Sequence, residues 1–140
     1  MFDYIRDPAE IHKRSFETVR AETDVSGLSA DEAALTVRLV HACGMPDIVR
    51  NLVFGPGALK VGRAALGEGA AILTDVEMVR HGIIRAQLPA DNPVLCMLHD
   101  SGVNERAAEQ GTTRSAAAVD LWREGLEGSV VAIGNAPTAL

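Results

Sequence analysis

Ala70-Ala71-Ile72-Leu73-Thr74-Asp75-Val76-Glu77-Met78-Val79 is the stretch that decides the fold. Its first four residues are apolar without alternation. That pattern matches a strand covered on both faces better than a sheet with one wet side. Thr74-Asp75 reads as the polar exit from the strand. Glu77, Met78 and Val79 then open a short helix. Two further apolar runs follow downstream, Pro93-Val94-Leu95-Cys96-Met97-Leu98 and Ser129-Val130-Val131-Ala132-Ile133. A polar helical segment over 104–110 lies between them. A stronger helix from Ser115 to Leu126 follows it, with Ala118 and Trp122 on one face. Strands alternating with helices predict an α/β fold with a mainly parallel sheet flanked by helices.

Upstream of Ala70 the pattern is helical only. Asp7-Pro8 is a helix start, with Asp7 as N-cap and Pro8 in the first turn. This helix runs to about Glu22, with Ile11, Ser15, Phe16 and Val19 on a shared face. Ser29 and Glu32 form a capping-box pair for a second helix. Its buried stripe is Ala33, Val37 and Val40, and Gly44 stops it. Pro46 to Phe54 reads as a third helix, closed by Gly55-Pro56-Gly57. Ala58 to Leu66 reads as a fourth, closed by Gly67. Residues 1–140 thus read as a single domain with a helical N-terminal region.

Composition narrows the function. Acidic residues outnumber basic ones 19 to 13, for a net charge of -6. That balance argues against nucleic acid as a partner, because phosphate binding needs a basic footprint. A local cationic pocket for an anionic small molecule remains compatible with it. No apolar run is long enough to span a bilayer, and Met1-Phe2-Asp3-Tyr4-Ile5-Arg6-Asp7 lacks the apolar core of a signal peptide. A cytoplasmic location is expected. Cys43 and Cys96 stand far apart with no CxxC spacing, so buried free thiols are expected rather than a zinc site or a disulfide. The four histidines show no HxH or HxxxH pairing, and no metal site is expected.

His41 is the first candidate for chemistry. It falls in the last turn of the second helix, where the helix dipole favours a cation. A histidine there is a competent proton donor. A capping or core role is the more frequent one for such a residue. Cys43, two positions on, points to nearly the opposite side, which argues against a Cys–His pair. His12 reads as solvated on a polar helix face. Gly111-Thr112-Thr113-Arg114-Ser115 leads into a helix N-terminus. It reads either as an anion cradle or as a capped helix with an exposed arginine. The strand exits Thr74-Asp75, His99-Asp100 and Gly134-Asn135 could line one crevice or be ordinary turns.

Several blocks, in order, resemble the precorrin-8X methylmutase family of vitamin B12 biosynthesis. They are Tyr4-Ile5-Arg6-Asp7-Pro8 with Arg14-Ser15-Phe16, Val40-His41-Ala42-Cys43-Gly44, and Asp75-Val76-Glu77-Met78-Val79 with His81-Gly82. Thr113-Arg114-Ser115-Ala116-Ala117-Ala118 and Ile133-Gly134-Asn135-Ala136-Pro137-Thr138-Ala139-Leu140 complete the set. The resemblance implies an isomerase that moves a methyl group from C-11 to C-12 of precorrin-8X to give hydrogenobyrinic acid. It implies no cofactor or metal, and a homodimer with its active site near the subunit interface. Carried over by position, His41 is the general acid. Ser15 and Arg114 contact the substrate, Arg114 through a peripheral carboxylate, and Gly134, Asn135 and Thr138 belong to the same wall. Ile84 departs from the family pattern, which has a threonine there. Family chains continue beyond the last block, so the chain is expected to be C-terminally incomplete. The alternatives are a non-catalytic corrinoid-binding fragment and a structural α/β domain in which His41 merely caps a helix.

Overall fold

The computed structural model describes residues 4–140; Met1, Phe2 and Asp3, where the signal-peptide reading begins, lie outside the described residues. The chain divides into two compact units, one ending at Leu59 and the other Lys60–Leu140.

The first unit is helical. α1 (Pro8–Glu22) starts as expected: the Asp7 carboxylate accepts from the Glu10 N–H at 2.8 Å, and Pro8 opens the first turn. α2 (Ala30–Cys43) carries the full capping box at Ser29 and Glu32. It ends at Gly44, whose φ of 69° is left-handed and whose N–H donates to the Val40 carbonyl at 2.7 Å. Val37 and Val40 are buried as expected, joined by Thr36, which is fully buried. Ile11 is 48% exposed, and no residue of α1 is buried. The expected third helix over Pro46–Phe54 is only a 3₁₀ turn, Pro46–Asn51. No side chain caps it, and Gly55-Pro56-Gly57 stands too close for α-helical hydrogen bonds to propagate.

The second unit holds most of α3 (Ala58–Gly67) and a three-stranded parallel sheet in the order β2-β1-β3, from β1 (Ile72–Thr74), β2 (Val94–Cys96) and β3 (Val130–Ala132). Leu73 pairs with Leu95 on one side and Val131 on the other. The central strand is buried throughout, as its unbroken apolar run predicts, whereas Leu95 and Val131 on the flanking strands are each 40% exposed. α4 (Glu77–Gly82) follows β1, and α5 (Val103–Gln110) and α6 (Arg114–Val119) lie between β2 and β3. The helix expected from Ser115 to Leu126 is shorter: after α6 the chain tightens into a 3₁₀ turn over Asp120–Trp122. α5 and α6 meet through Val103, Ala107, Ala117 and Ala118, small residues that let the two helices approach closely. Asn92 is buried and pins the entry to β2: its amide donates to the Leu66 and Ala70 carbonyls, each at 2.9 Å. Among the described residues, no helix is long and apolar enough to cross a membrane.

Candidate active site

In the first unit, α1 and α2 bring Ser15 and His41 together. Ser15 Oγ lies 2.8 Å from His41 Nδ1, a hydrogen bond between residues 26 apart in sequence. The hydroxyl can donate to a neutral Nδ1 or accept from a protonated one, so it serves both charge states of the imidazole. With Nδ1 engaged, Nε2 is the ring nitrogen left to face another partner. Both residues lie in solvent reach. Ser15, expected to touch substrate, is therefore seen first as the partner of His41.

The imidazole also rests against an aromatic group. Phe16 stacks on it at 4.6 Å between centroids with the planes 27° apart. His12 was expected to be merely solvated. It is exposed, but its ring lies 4.5 Å from Phe16 and 5.7 Å from His41. Arg20 places its guanidinium 5.8 Å from the Phe16 centroid. His12, Phe16 and Arg20 follow one another at four-residue steps, so helix geometry lines them up along α1.

In the second unit, the family-like blocks around Asp75, Thr113 and Gly134 converge. The Asp75 carboxylate accepts from the N–H groups of Gly134 at 3.2 Å, Asn135 at 2.9 Å and Ala136 at 2.7 Å. Burial pushes this carboxyl up, but the donors from Ala136, Asn135 and Gly134 together outweigh it and hold the group below its ordinary value. This settles one of the three strand exits. Asp75 is only 2% exposed and spent on backbone donors, so it lines no crevice. His99-Asp100 is an ordinary exposed turn. Gly134 and Asn135 meet Asp75 through their main chain.

Thr113 caps α6, accepting from the Ala116 N–H at 3.2 Å, and its hydroxyl lies 2.8 Å from that of Thr138. Arg114, first in α6, is exposed. The helix is capped and its arginine exposed, an arrangement compatible with both readings of this segment. Its hydroxyls and guanidinium lie on an open surface.

The thiols differ from expectation. Cys43, at the end of α2, is exposed, and Cys96 is half-buried. Burial raises the Cys96 thiol above its usual range. His81 is tied to its own helix, with Nδ1 2.8 Å from the Glu77 carbonyl. Glu77 is held below the usual carboxylate range, chiefly by the hydrogen bond from Arg80 at 2.9 Å. Arg80 and Arg85 both donate to the Val94 carbonyl and so tie α4 and the turn after it to β2. Ile84 is 61% exposed. Among the described residues, no three His, Cys, Asp or Glu side chains gather as a metal site would need.

Comparison with known proteins bears on what these groups do. The family model described as CbiC, precorrin-8X methylmutase, matches residues 10–140. The precorrin-8X methylmutase of Pseudomonas aeruginosa is 56% identical over 140 residues, which are 100% of this chain and 67% of that protein. The one from Sinorhizobium sp is 58% identical over 139 residues, 99% of this chain and 66% of that protein. The solved structure of a precorrin-8x methyl mutase from Thermus thermophilus superposes with a TM-score of 0.81 at 34% identity, covering 94% of this chain and 64% of that one. The chain thus spans about two thirds of the length of the relatives it matches. On the match across residues 10–140 and the identity to these relatives, the chain belongs to the precorrin-8X methylmutase family.

Proposed function

We propose that the chain, as one methylmutase-like domain over residues 1–140, isomerises precorrin-8X to hydrogenobyrinic acid with His41 as general acid. In this reading Nε2 of His41 protonates, or hydrogen-bonds to, the conjugated macrocycle. The C-11–methyl bond breaks, the methyl forms its new bond at C-12, and the proton returns to His41. Atoms and electrons balance within one molecule, so no co-substrate is consumed. The observation that carries the reading is the 2.8 Å contact between Ser15 Oγ and His41 Nδ1. It holds Nδ1 and leaves the other nitrogen for the substrate. The naming of both bacterial relatives as precorrin-8X methylmutases supports the choice of substrate.

Arg114 is assigned to a peripheral carboxylate of the macrocycle, as a bidentate guanidinium suits. Gly134, Asn135 and Thr138 are assigned supporting contacts beside it, with Thr138 held by Thr113. A homodimer and a cytoplasmic location belong to the same proposal. Titration with hydrogenobyrinic acid tests the binding half: pigment is expected to co-elute with the folded chain, and Arg114→Ala is expected to weaken it about tenfold or more. Folded chain that carries no pigment would count against the assignment.

A further inference from the structure

We propose that Phe16 is a positioning residue for His41, fixing the plane of the imidazole while Ser15 fixes its Nδ1. The inference rests on the reading of His41 as the proton donor. A single hydrogen bond to one ring nitrogen leaves the imidazole free to tilt about that bond. Contact across the flat face removes this freedom, and the stack at 4.6 Å and 27° supplies it. Phe16 follows Ser15 directly on α1, so one helical step delivers both restraints to a residue on α2. The phenyl ring is itself held: His12 packs on it at 4.5 Å and Arg20 sits 5.8 Å from its centre. Aromatic faces carry a negative quadrupole, which suits the imidazolium as well as the neutral ring. Proton transfer depends on aim, and a ring free to tilt spends less time aligned.

Three readouts on the full chain test this. In the wild type, nuclear Overhauser contacts are expected between the Phe16 ring protons and the His41 ring protons. The His41 signals should also carry a ring-current shift. Phe16→Leu is expected to abolish that shift and to lower kcat roughly three- to tenfold with KM nearly unchanged, as the energy of an aromatic pair implies. Phe16→Tyr is expected to restore both. Absence of the wild-type Overhauser contacts overturns the proposal, even if the leucine variant fails to fold. So does a folded Phe16→Leu chain with unchanged kcat. If His41→Gln leaves turnover intact, the reading of His41 fails first, whereas a wild-type stack with a silent Phe16→Leu sinks only the role of Phe16.

Discussion

The carboxylate of Asp75, the residue that follows β1 and opens the family-like block Asp75-Val76-Glu77-Met78-Val79, sits 2.7 Å from the N–H of Ala136, and its oxygens also take the two preceding N–H groups. This one side chain therefore shapes the turn after β3. Around it Val76, Ala136 and Ala139 form a buried cluster, with Val79 and Ile133 packed against them. Asp75→Ala would leave three donors without their acceptor, the Ala136 N–H in a buried place and those of Gly134 and Asn135 part-buried. We expect a loss of about 3 kcal/mol in unfolding free energy, read by urea titration.

The same contact predicts an acid response. The folded carboxyl is held below its ordinary value of 3.8. Its contribution to stability is thus fully present above that value and is lost as pH falls through the lower folded value. Wild-type melting temperature should drop as pH falls through the acid range. Asp75→Asn should be less stable at neutral pH and should lose less on acidification. Parallel pH curves for the two chains would contradict this.

Gly134 is needed for closeness. A Cβ built there would lie 2.8 Å from Cγ2 of Val79. Gly134→Ala is expected to cost about 1–3 kcal/mol, since a valine in a packed cluster has little room to yield. Val79→Ala should relieve part of that cost in the double variant, and a thermodynamic cycle measures the coupling. Strict additivity would show that the two side chains do not meet.

Thr36 points to a stabilising change. It is 0% exposed on α2, and its hydroxyl has no hydrogen-bond partner among the described residues. Thr36→Val keeps the shape and removes the unpaired group. A gain of about 1 kcal/mol is expected in chemical denaturation. A loss would mean that the hydroxyl is satisfied in solution.

The features legible in the sequence were those written locally. Asp7, the Ser29–Glu32 box and Gly44 set helix ends within a few residues of themselves, and all appear where expected. The uninterrupted apolar run Ala70–Leu73 marked the central strand, although only Ile72–Thr74 pairs. Helices at Pro46 and Ser115 were overextended, because apolar content continues where caps and hydrogen bonds do not. Long-range partners were not legible. Nothing in the spacing of His12 says that its ring packs near His41, and nothing around Asp75 announces donors about 60 residues away. His41 is singled out as a candidate by its helix position and its motif. Its fixing by Ser15 and Phe16 required α1 and α2 to be placed.

The most direct test is turnover of precorrin-8X, followed by the absorbance change to hydrogenobyrinic acid, with wild-type, His41→Ala and Ser15→Ala chains. The account predicts conversion by the wild type and a loss of at least about a hundredfold in His41→Ala, as for a general acid. It predicts a smaller loss of about tenfold in Ser15→Ala, as for one orienting hydrogen bond. Conversion by His41→Ala at the wild-type rate, or pigment binding without conversion by the wild type, would contradict it.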